Sequence, residues 1–232
     1  MIDILKLNHT KDKKFLVFSD THYNHDRDFI WGARGFKNVQ ESNAVQIERW
    51  NKKVSNNDTV MHLGDIIFGE GAYYNLLNLL DMLNFSKLYV MPGNHTSGYR
   101  QLFHKVLEAS AMDNYYRLTY KLNANKEVHL IPNYYEMYVN GQAITMSHYP
   151  VLAWNGIAKG AWMLFGHCHN NLTKTDWVRD NYLVGKCLDM GTESINGPMD
   201  FDEIKTFMDQ RPSLEMDHHL KNSSVPFVDN KK

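Results

Sequence analysis

Five short apolar segments of this chain each end at a motif that contains Asp, Asn or His residues. Runs of four or five apolar residues are typical of strands buried on both faces. Ligand sites in open α/β sheets lie beyond the carboxyl ends of the strands, so we expect the motifs to meet at one edge. In chain order the motifs are Asp20-Thr21-His22, Gly64-Asp65, Gly93-Asn94-His95, Ser147-His148 and Gly166-His167-Cys168-His169.

The periodicity of the remaining sequence predicts how strands and helices follow one another. Strands are predicted at residues 15–18, 59–63, 87–91, 127–131, 134–139, 142–146, 162–165 and 182–188, and helices at 42–54, 73–83, 99–109 and 200–210. Asn140-Gly141 predicts a tight hairpin. A first half that alternates strand and helix, followed by a mostly β half, predicts two sheets packed face to face with helices outside.

Composition and charge indicate which cellular compartment and which classes of partner to expect. The chain has 232 residues and a formal net charge of −1, without the Lys/Arg stripe of proteins that bind long nucleic acids. This favours a small substrate. Two cysteines, no membrane-spanning apolar run and no signal-peptide pattern lead us to expect a cytoplasmic protein with no membrane partner. We expect one domain over residues 1–232, with a polar, partly disordered tail at 211–232 that includes His218 and His219. The sequence does not indicate the oligomeric state.

The five motifs supply enough ligands for two metal ions held side by side. Carboxylate, amide oxygen and imidazole together bind hard or borderline divalent cations. Two such ions activate water and stabilise both the entering and the leaving oxygen in phosphate-ester hydrolysis. Gly64, Gly93 and Gly166 each precede a candidate ligand by one residue, where the absence of a side chain lets the backbone turn sharply.

The order of these motifs resembles that of the calcineurin-like metallophosphoesterase superfamily. Its pattern is D-x-H, G-D, G-N-H, a lone H and G-H-x-H, and this chain matches all five blocks from Asp20 to His169. The segment from Ser19 to His25, with Trp50-Asn51 and Leu63-Gly64-Asp65, also resembles a small uncapped subgroup found in bacteria and phages.

The resemblance implies a four-layer αββα sandwich and a defined set of ligands. One ion would be held by Asp20, His22, Asp65 and His169, and the other by Asp65, Asn94, His148 and His167. A hydroxide between the ions would attack phosphorus in line, and His95 would protonate the leaving group. Mn²⁺ is expected for this mixed ligand set, with Fe, Zn²⁺, Ni²⁺ and Mg²⁺ as alternatives.

At two positions the sequence departs from the family pattern, and these departures narrow the expected class of substrate. Thr96 follows Gly93-Asn94-His95 where many members carry an acid. Asp65 is followed by Ile66-Ile67, whereas protein serine/threonine phosphatases have an Asp-Arg-Gly block there. The missing block removes a phosphate-binding Arg and an Asp that would orient the acid histidine. This argues against a protein phosphatase and leaves the orientation of His95 open.

Several residues near the motifs are candidates for substrate contact. Arg34 could hold a non-bridging phosphate oxygen or be a solvated loop residue. His25 could reach the substrate or be an ordinary loop histidine, while His62 is predicted to be structural. Tyr149 and Trp154 could stack on a base or sugar, although aromatic residues more commonly pack in a core.

Three functional hypotheses follow from the sequence. The first is a two-metal phosphodiesterase that acts on a small phosphate ester, such as a nucleotide or cyclic nucleotide. The second is a nuclease or a phosphomonoesterase with the same chemistry. The third, a non-catalytic binding module, is disfavoured because every expected ligand is present.

Overall fold

Two β-sheets and six α-helices make up the part of the chain that the structure describes. The computed structural model describes residues 3–69 and 71–215. Strands β1 to β11 are Leu5–Leu7, Phe15–Phe18, Thr59–His62, Lys87–Val90, Leu118–Lys121, Glu127–Leu130, Tyr134–Val139, Gln142–Ser147, Trp162–Phe165, Cys187–Asp189 and Met199–Asp200. Helices α1 to α6 are Asp28–Trp31, Val39–Lys53, Ala72–Met82, Ser97–Ala109, Asp176–Asn181 and Phe201–Asp209, with 3-10 helices at Ile157–Lys159 and Asn171–Lys174.

The two sheets are both mixed. One has the strand order β11-β2-β3-β4-β6-β5, in which β2, β3, β4 and β6 run parallel. The other has the order β1-β7-β8-β9-β10, and its strands β8, β9 and β10 also run parallel. Parallel neighbours end at the same edge, so each sheet places several strand exits side by side.

Alternating side chains of the strands divide the core into three layers. Val17, Met61 and Leu63 pack against residues of the second sheet such as Met146 and Leu164. The opposite face of the first sheet packs against α2, α3 and α4, through Trp50, Leu76 and Leu102 among others. The outer face of the second sheet is covered by a smaller cluster around Trp154, Ile157 and Tyr182. This arrangement confirms the predicted four-layer αββα sandwich.

Helix boundaries follow local capping. Helix α2 begins at Val39, three residues earlier than predicted, because the Asn38 side chain accepts a hydrogen bond from the Glu41 backbone N–H. Helix α6 begins with a complete capping box between Asp200 and Glu203. None of the helices within residues 3–69 and 71–215 is long and apolar enough to cross a membrane.

The predicted strand at 182–188 is largely wrong. Helix α5 ends at Asn181, a turn follows, and the strand spans only Cys187–Asp189. The apolar residues Tyr182 and Leu183 instead pack into the outer cluster, where Tyr182 is buried. Strands β1, β5 and β11 and helices α1 and α5 were not predicted. The predicted tail beyond residue 215, with His218 and His219, lies outside the described residues.

Candidate dinuclear metal centre

The seven predicted ligands lie together at the strand exits of both sheets. Asp20 follows β2, Asp65 follows β3 and Asn94 follows β4. His148 directly follows β8, and His167 and His169 come after β9. Ligand atoms of Asp20, His22 and His169 lie within 4.8 Å of one another, as do those of Asp20, Asp65 and His148. The structure therefore brings together residues that are 149 positions apart in the chain, from 20 to 169.

Asp20 and His22 present buried polar atoms that have no hydrogen-bond partner. Asp20 Oδ1 and His22 Nε2 are both orphaned and lie 3.9 Å apart. Burial raises the pKa of the Asp20 carboxyl and lowers that of the His22 imidazole well below its usual value. Buried polar atoms without partners are rare and costly. A divalent cation between these two atoms would satisfy both.

The two carboxylate oxygens of Asp65 have different surroundings. Oδ1 accepts hydrogen bonds from the backbone N–H groups of Asn94, at 2.9 Å, and His95, at 2.8 Å. Oδ2 lies 3.7 Å from His22 Nε2 and 3.6 Å from His148 Nε2. His22 and His148 belong to different predicted ion sites, so Asp65 Oδ2 lies between the two groups of candidate ligands.

The second group of donors converges on the amide oxygen of Asn94. His148 Nε2 and His167 Nδ1 each lie 2.8 Å from Asn94 Oδ1. His148 Nδ1 lies 2.9 Å from the Leu63 carbonyl oxygen, which assigns the proton to Nδ1 and leaves the Nε2 lone pair for a metal. Burial lowers the pKa of His148 and of His167. Both histidines are therefore neutral donors, the form that binds metals.

Several of these residues have left-handed backbone conformations. The φ angles are 55° at Asp20, 50° at His22, 54° at Asp65, 69° at His167 and 46° at His169. Such angles are uncommon outside glycine, and their clustering at one place is typical of functional sites. Gly93 leaves the space that the Asp65 carboxylate occupies, since a Cβ at position 93 would overlap it. The donor set, its orphaned atoms and this backbone all fit a pair of divalent ions.

Glu193 is a site residue that the sequence did not reveal. Its Oε2 lies 2.8 Å from His169 Nδ1, and its Oε1 accepts a hydrogen bond of 2.8 Å from Arg34 Nε. Burial lowers the pKa of His169, but the hydrogen bond and the charge of Glu193 outweigh it and raise that pKa overall. Glu193 follows β10 by four residues, so it lies at a sixth strand exit. A correct prediction of where β10 ends would have placed Glu193 among the residues at the strand exits.

The prediction that Arg34 holds a phosphate oxygen does not fit the structure. The Arg34 side chain is only 3% exposed. Besides its bond to Glu193, it donates to the carbonyl oxygens of Thr21 at 2.8 Å and Asp20 at 2.7 Å. Arg34 therefore supports the loop that carries the ligands and is not available to a substrate.

His95 lies among aromatic rings beside the ligands. Its ring nitrogen is within 4.8 Å of the ligand atoms of His22 and Asp65. The ring centroids of Phe68 and His25 are 4.9 and 5.6 Å from that of His95. The His95 ring thus packs against an aromatic pair, Phe68 and His25, next to the candidate ligands.

The remaining candidates separate into surface and core residues. His25 is buried, and its ring centroid lies 4.1 Å from that of Phe68. Tyr149 is 43% exposed and lies 4.5 Å from the His167 ring centroid. Trp154 is a core residue that donates to the Ala161 carbonyl. His62 is fully buried and shares a hydrogen bond with Thr21 Oγ1, as a structural residue does.

Comparison with known proteins identifies the family. The uncharacterised protein MJ1445 of Methanocaldococcus jannaschii is 36% identical over 83 residues, which are 36% of this chain and 47% of that protein. This chain thus aligns with less than half of that relative. A protein of unknown function from Aquifex aeolicus, AQ665, has the same fold, with a TM-score of 0.57 and 18% identity over 84% of this chain and 99% of that one.

The family match covers most of the chain and every motif of the site. The family described as calcineurin-like phosphoesterase matches residues 13–184, a range that includes all seven candidate ligands and His95. The candidate metal-binding groups lie within the same range. The chain belongs to the calcineurin-like phosphoesterase family.

Proposed function

We propose that the protein is a two-metal phosphodiesterase that acts on a small nucleotide-type ester. The observation that carries this proposal is a pair of separate aromatic surfaces beside the two sets of ligands. Tyr149 lies against His148 and His167, with ring centroids 5.0 and 4.5 Å apart. On the other set, the buried His25 ring lies 5.3 Å from that of His22, and the exposed Phe29 ring packs edge-on against His25 at 5.8 Å. A diester carries two organic arms, and each arm has an aromatic surface to lie on.

Seven side chains would hold the ions in this proposal. Asp20, His22, Asp65 and His169 form one set, and Asp65, Asn94, His148 and His167 form the other. The mixed oxygen and nitrogen donors favour Mn²⁺, although Fe, Zn²⁺, Ni²⁺ and Mg²⁺ also accept such ligands. When bound, two divalent ions supply a nucleophile near neutral pH and neutralise charge on the phosphoryl group.

His95 is the proposed general acid. A histidine can carry a proton near neutral pH and deliver it to a leaving alkoxide. The His95 backbone N–H is held at 2.8 Å by Asp65 Oδ1, which ties the position of the acid to that of the bridging ligand. The Phe68 ring packs edge-on against the His95 ring and limits its rotation.

The Arg34 side chain is already hydrogen-bonded to other groups of the protein, and this favours a diester substrate over a monoester. A phosphate monoester is mostly a dianion at neutral pH, and arginine is the side chain best suited to hold its terminal oxygens. Arg34, the loop arginine predicted to hold a phosphate oxygen, has a buried side chain that is bonded to Glu193 and two backbone carbonyls. A diester carries one fewer negative charge and one fewer free oxygen, so it needs no such residue.

The test is a side-by-side assay of bis(p-nitrophenyl) phosphate and p-nitrophenyl phosphate. We expect Mn²⁺-dependent hydrolysis that EDTA abolishes, with a higher kcat/KM for the diester. A higher kcat/KM for the monoester would make the protein a phosphomonoesterase. A His95→Asn variant tests the acid, because it should slow esters with poor leaving groups more than the p-nitrophenyl esters.

A further inference from the structure

A cleft of about 610 Å³ opens beside the candidate metal centre. His22, His95 and His169 form the part of its lining that belongs to the centre. His25 and Glu193 also line the cleft, and two segments that no motif includes supply the rest, residues 29–33 and residues 170–174. The first contributes apolar side chains and the second contributes polar ones. A molecule bound here with its phosphate at the metal centre would therefore contact surfaces of two different kinds.

The apolar segment presents an exposed aromatic ring on a fixed support. The Phe29 side chain is 66% exposed, whereas its neighbour Ile30 is buried. The ring of Phe29 meets that of His25 edge-on, with centroids 5.8 Å apart. The buried hydrogen bonds of Arg34, five residues later, fix the end of the same loop. A large exposed ring held in place beside a catalytic centre indicates a contact surface for a ligand.

The polar segment carries one cation on an ordered turn. The Asn170 backbone N–H donates to Asp189 Oδ2 at 3.0 Å, and Thr173 Oγ1 donates to the Asn170 carbonyl at 2.7 Å. The Lys174 ammonium donates to Asn171 Oδ1 at 2.6 Å. Among the described residues that line this cleft, Lys174 is the one lysine or arginine. The cleft therefore offers one fixed positive charge besides those of the histidines and any bound ions.

We infer that this cleft holds the nucleoside arm of the substrate, with its base against Phe29 and a second phosphate facing Lys174. The inference rests on the proposed phosphodiesterase function and names the class of ester. An acyl chain would leave the polar segment unpaired, at a cost in binding. A long nucleic acid would need a track of cations, not a single lysine. A nucleotide has both a flat apolar face and a polar, anionic edge, and so matches both segments.

Three diesters with the same leaving group test the inference. They are bis(p-nitrophenyl) phosphate, the p-nitrophenyl ester of thymidine 5′-monophosphate, and the same thymidine ester with an added 3′-phosphate. The readout is kcat/KM from nitrophenolate release by the Mn²⁺-loaded enzyme. We expect kcat/KM to rise in the order given, because each step adds a group that one segment of the cleft contacts.

Two variants separate the contributions of the two segments. Phe29→Ala should reduce the preference for the thymidine ester over bis(p-nitrophenyl) phosphate about tenfold, the usual effect of losing one base–aromatic stack. Lys174→Ala should remove the gain in kcat/KM that the 3′-phosphate gives, about fivefold. Tyr74→Ala and Lys11→Ala are matched controls, since Tyr74 is an exposed aromatic residue on α3 and Lys11 is an exposed lysine before β2.

The outcomes distinguish failure of the inference from failure of the proposed function. If the wild-type enzyme cleaves none of the diesters, the proposed function is wrong. If it cleaves all three with equal kcat/KM, or if Phe29→Ala and Lys174→Ala behave like their controls, the nucleoside site is overturned while the phosphodiesterase stands. An equal loss of kcat/KM on all three esters in either variant would also overturn the nucleoside site, because the residue would then act on the reaction that the three esters share.

Discussion

Arg34 and Glu193 form a largely buried pair, with Nε and Oε1 2.8 Å apart, that joins two ligand-bearing loops. Arg34 binds the backbone carbonyls of Asp20 and Thr21, and Glu193 binds the His169 imidazole. Three of the four proposed ligands of the first ion therefore depend on one charge pair, since His22 follows Thr21 directly. Such outer groups set the orientation and basicity of a metal-bound histidine.

Glu193→Gln is expected to weaken binding of the first metal ion about tenfold. The amide can still accept a hydrogen bond from His169 Nδ1, but it lacks the charge that raises the pKa of that imidazole. Isothermal titration with Mn²⁺ measures the two dissociation constants. Glu48→Gln, an exposed glutamate on α2, is the control and should change neither. Unaltered Mn²⁺ affinity in Glu193→Gln would remove Glu193 from the site.

Arg34→Ala is expected to lower the free energy of unfolding of the metal-free protein by about 3 kcal/mol. The substitution leaves the Glu193 carboxylate, which is 17% exposed, without its arginine partner. The Thr21 carbonyl also loses its hydrogen bond from Arg34, whereas the Asp20 carbonyl keeps the one from Thr192 Oγ1. Urea denaturation measures the change. Arg179→Ala removes an exposed arginine with two carboxylate partners and should have no measurable effect. A fully stable Arg34→Ala protein with a raised KM would restore the phosphate-binding role.

The sequence predicts the fold where its pattern is long enough to be unambiguous. The run Phe15–Phe18 is apolar throughout, and it forms a strand buried on both faces. Strand β1, Leu5–Leu7, is too short to show a period, and its conformation depends on pairing with β7. The sequence predicts that Tyr182 begins a strand. It lies instead at the end of α5, where packing against Trp154 determines its place.

The sequence predicts those residues of the candidate site that belong to motifs at the ends of strands. Asp65 follows a strand of the first sheet and His148 follows one of the second, and within each sheet the parallel strands end at a common edge. Glu193 escaped prediction because its partners, Arg34 and His169, are 159 and 24 residues away in the chain. The sequence also could not show that Arg34 is buried, since a loop arginine is usually solvated.

Acid conditions are expected to destabilise the protein through two buried histidines. Burial lowers the pKa of His62 and of His129 to about 3. In the unfolded chain they titrate near pH 6.5, so between pH 6.5 and 3 the unfolded state binds protons that the folded state does not. The free energy of unfolding therefore falls as the pH drops below about 6.5, by about 2 kcal/mol per histidine at pH 5.

Denaturation of the metal-free protein in urea at pH 7.5 and 5.0 measures this loss. His129→Gln should show a smaller loss than the wild type, whatever its stability at pH 7.5. His104→Gln replaces an exposed histidine of α4 and should keep the wild-type loss. If His129→Gln and the wild type lose equal free energy between the two pH values, His129 is not held neutral in the folded protein.

Asp65→Asn is expected to reduce kcat/KM on bis(p-nitrophenyl) phosphate by at least about 10²-fold while the fold stays intact. The amide oxygen can still accept the backbone hydrogen bonds of Asn94 and His95. What is lost is the negative charge that both ions would share. Circular dichroism checks the fold, and Asp12→Asn, at an exposed turn, is the control. A near-normal rate in Asp65→Asn would contradict the bridging role.

Gly93→Ala and Gly141→Ala form a pair that separates backbone strain from steric overlap. Both glycines have positive φ angles, 74° and 82°, so alanine costs each about 1 kcal/mol of strain. A Cβ at position 141 meets no atom within 4 Å, whereas one at position 93 overlaps the Asp65 carboxylate.

Gly141→Ala should therefore lose about 1 kcal/mol of stability and keep its Mn²⁺ affinity. Gly93→Ala should lose more stability and, because Asp65 must move, bind both ions more weakly. Urea denaturation and Mn²⁺ titration of the two variants make the comparison. Equal losses of stability and of Mn²⁺ affinity in the two variants would mean that the close contact between residue 93 and the Asp65 carboxylate does not position the bridging ligand.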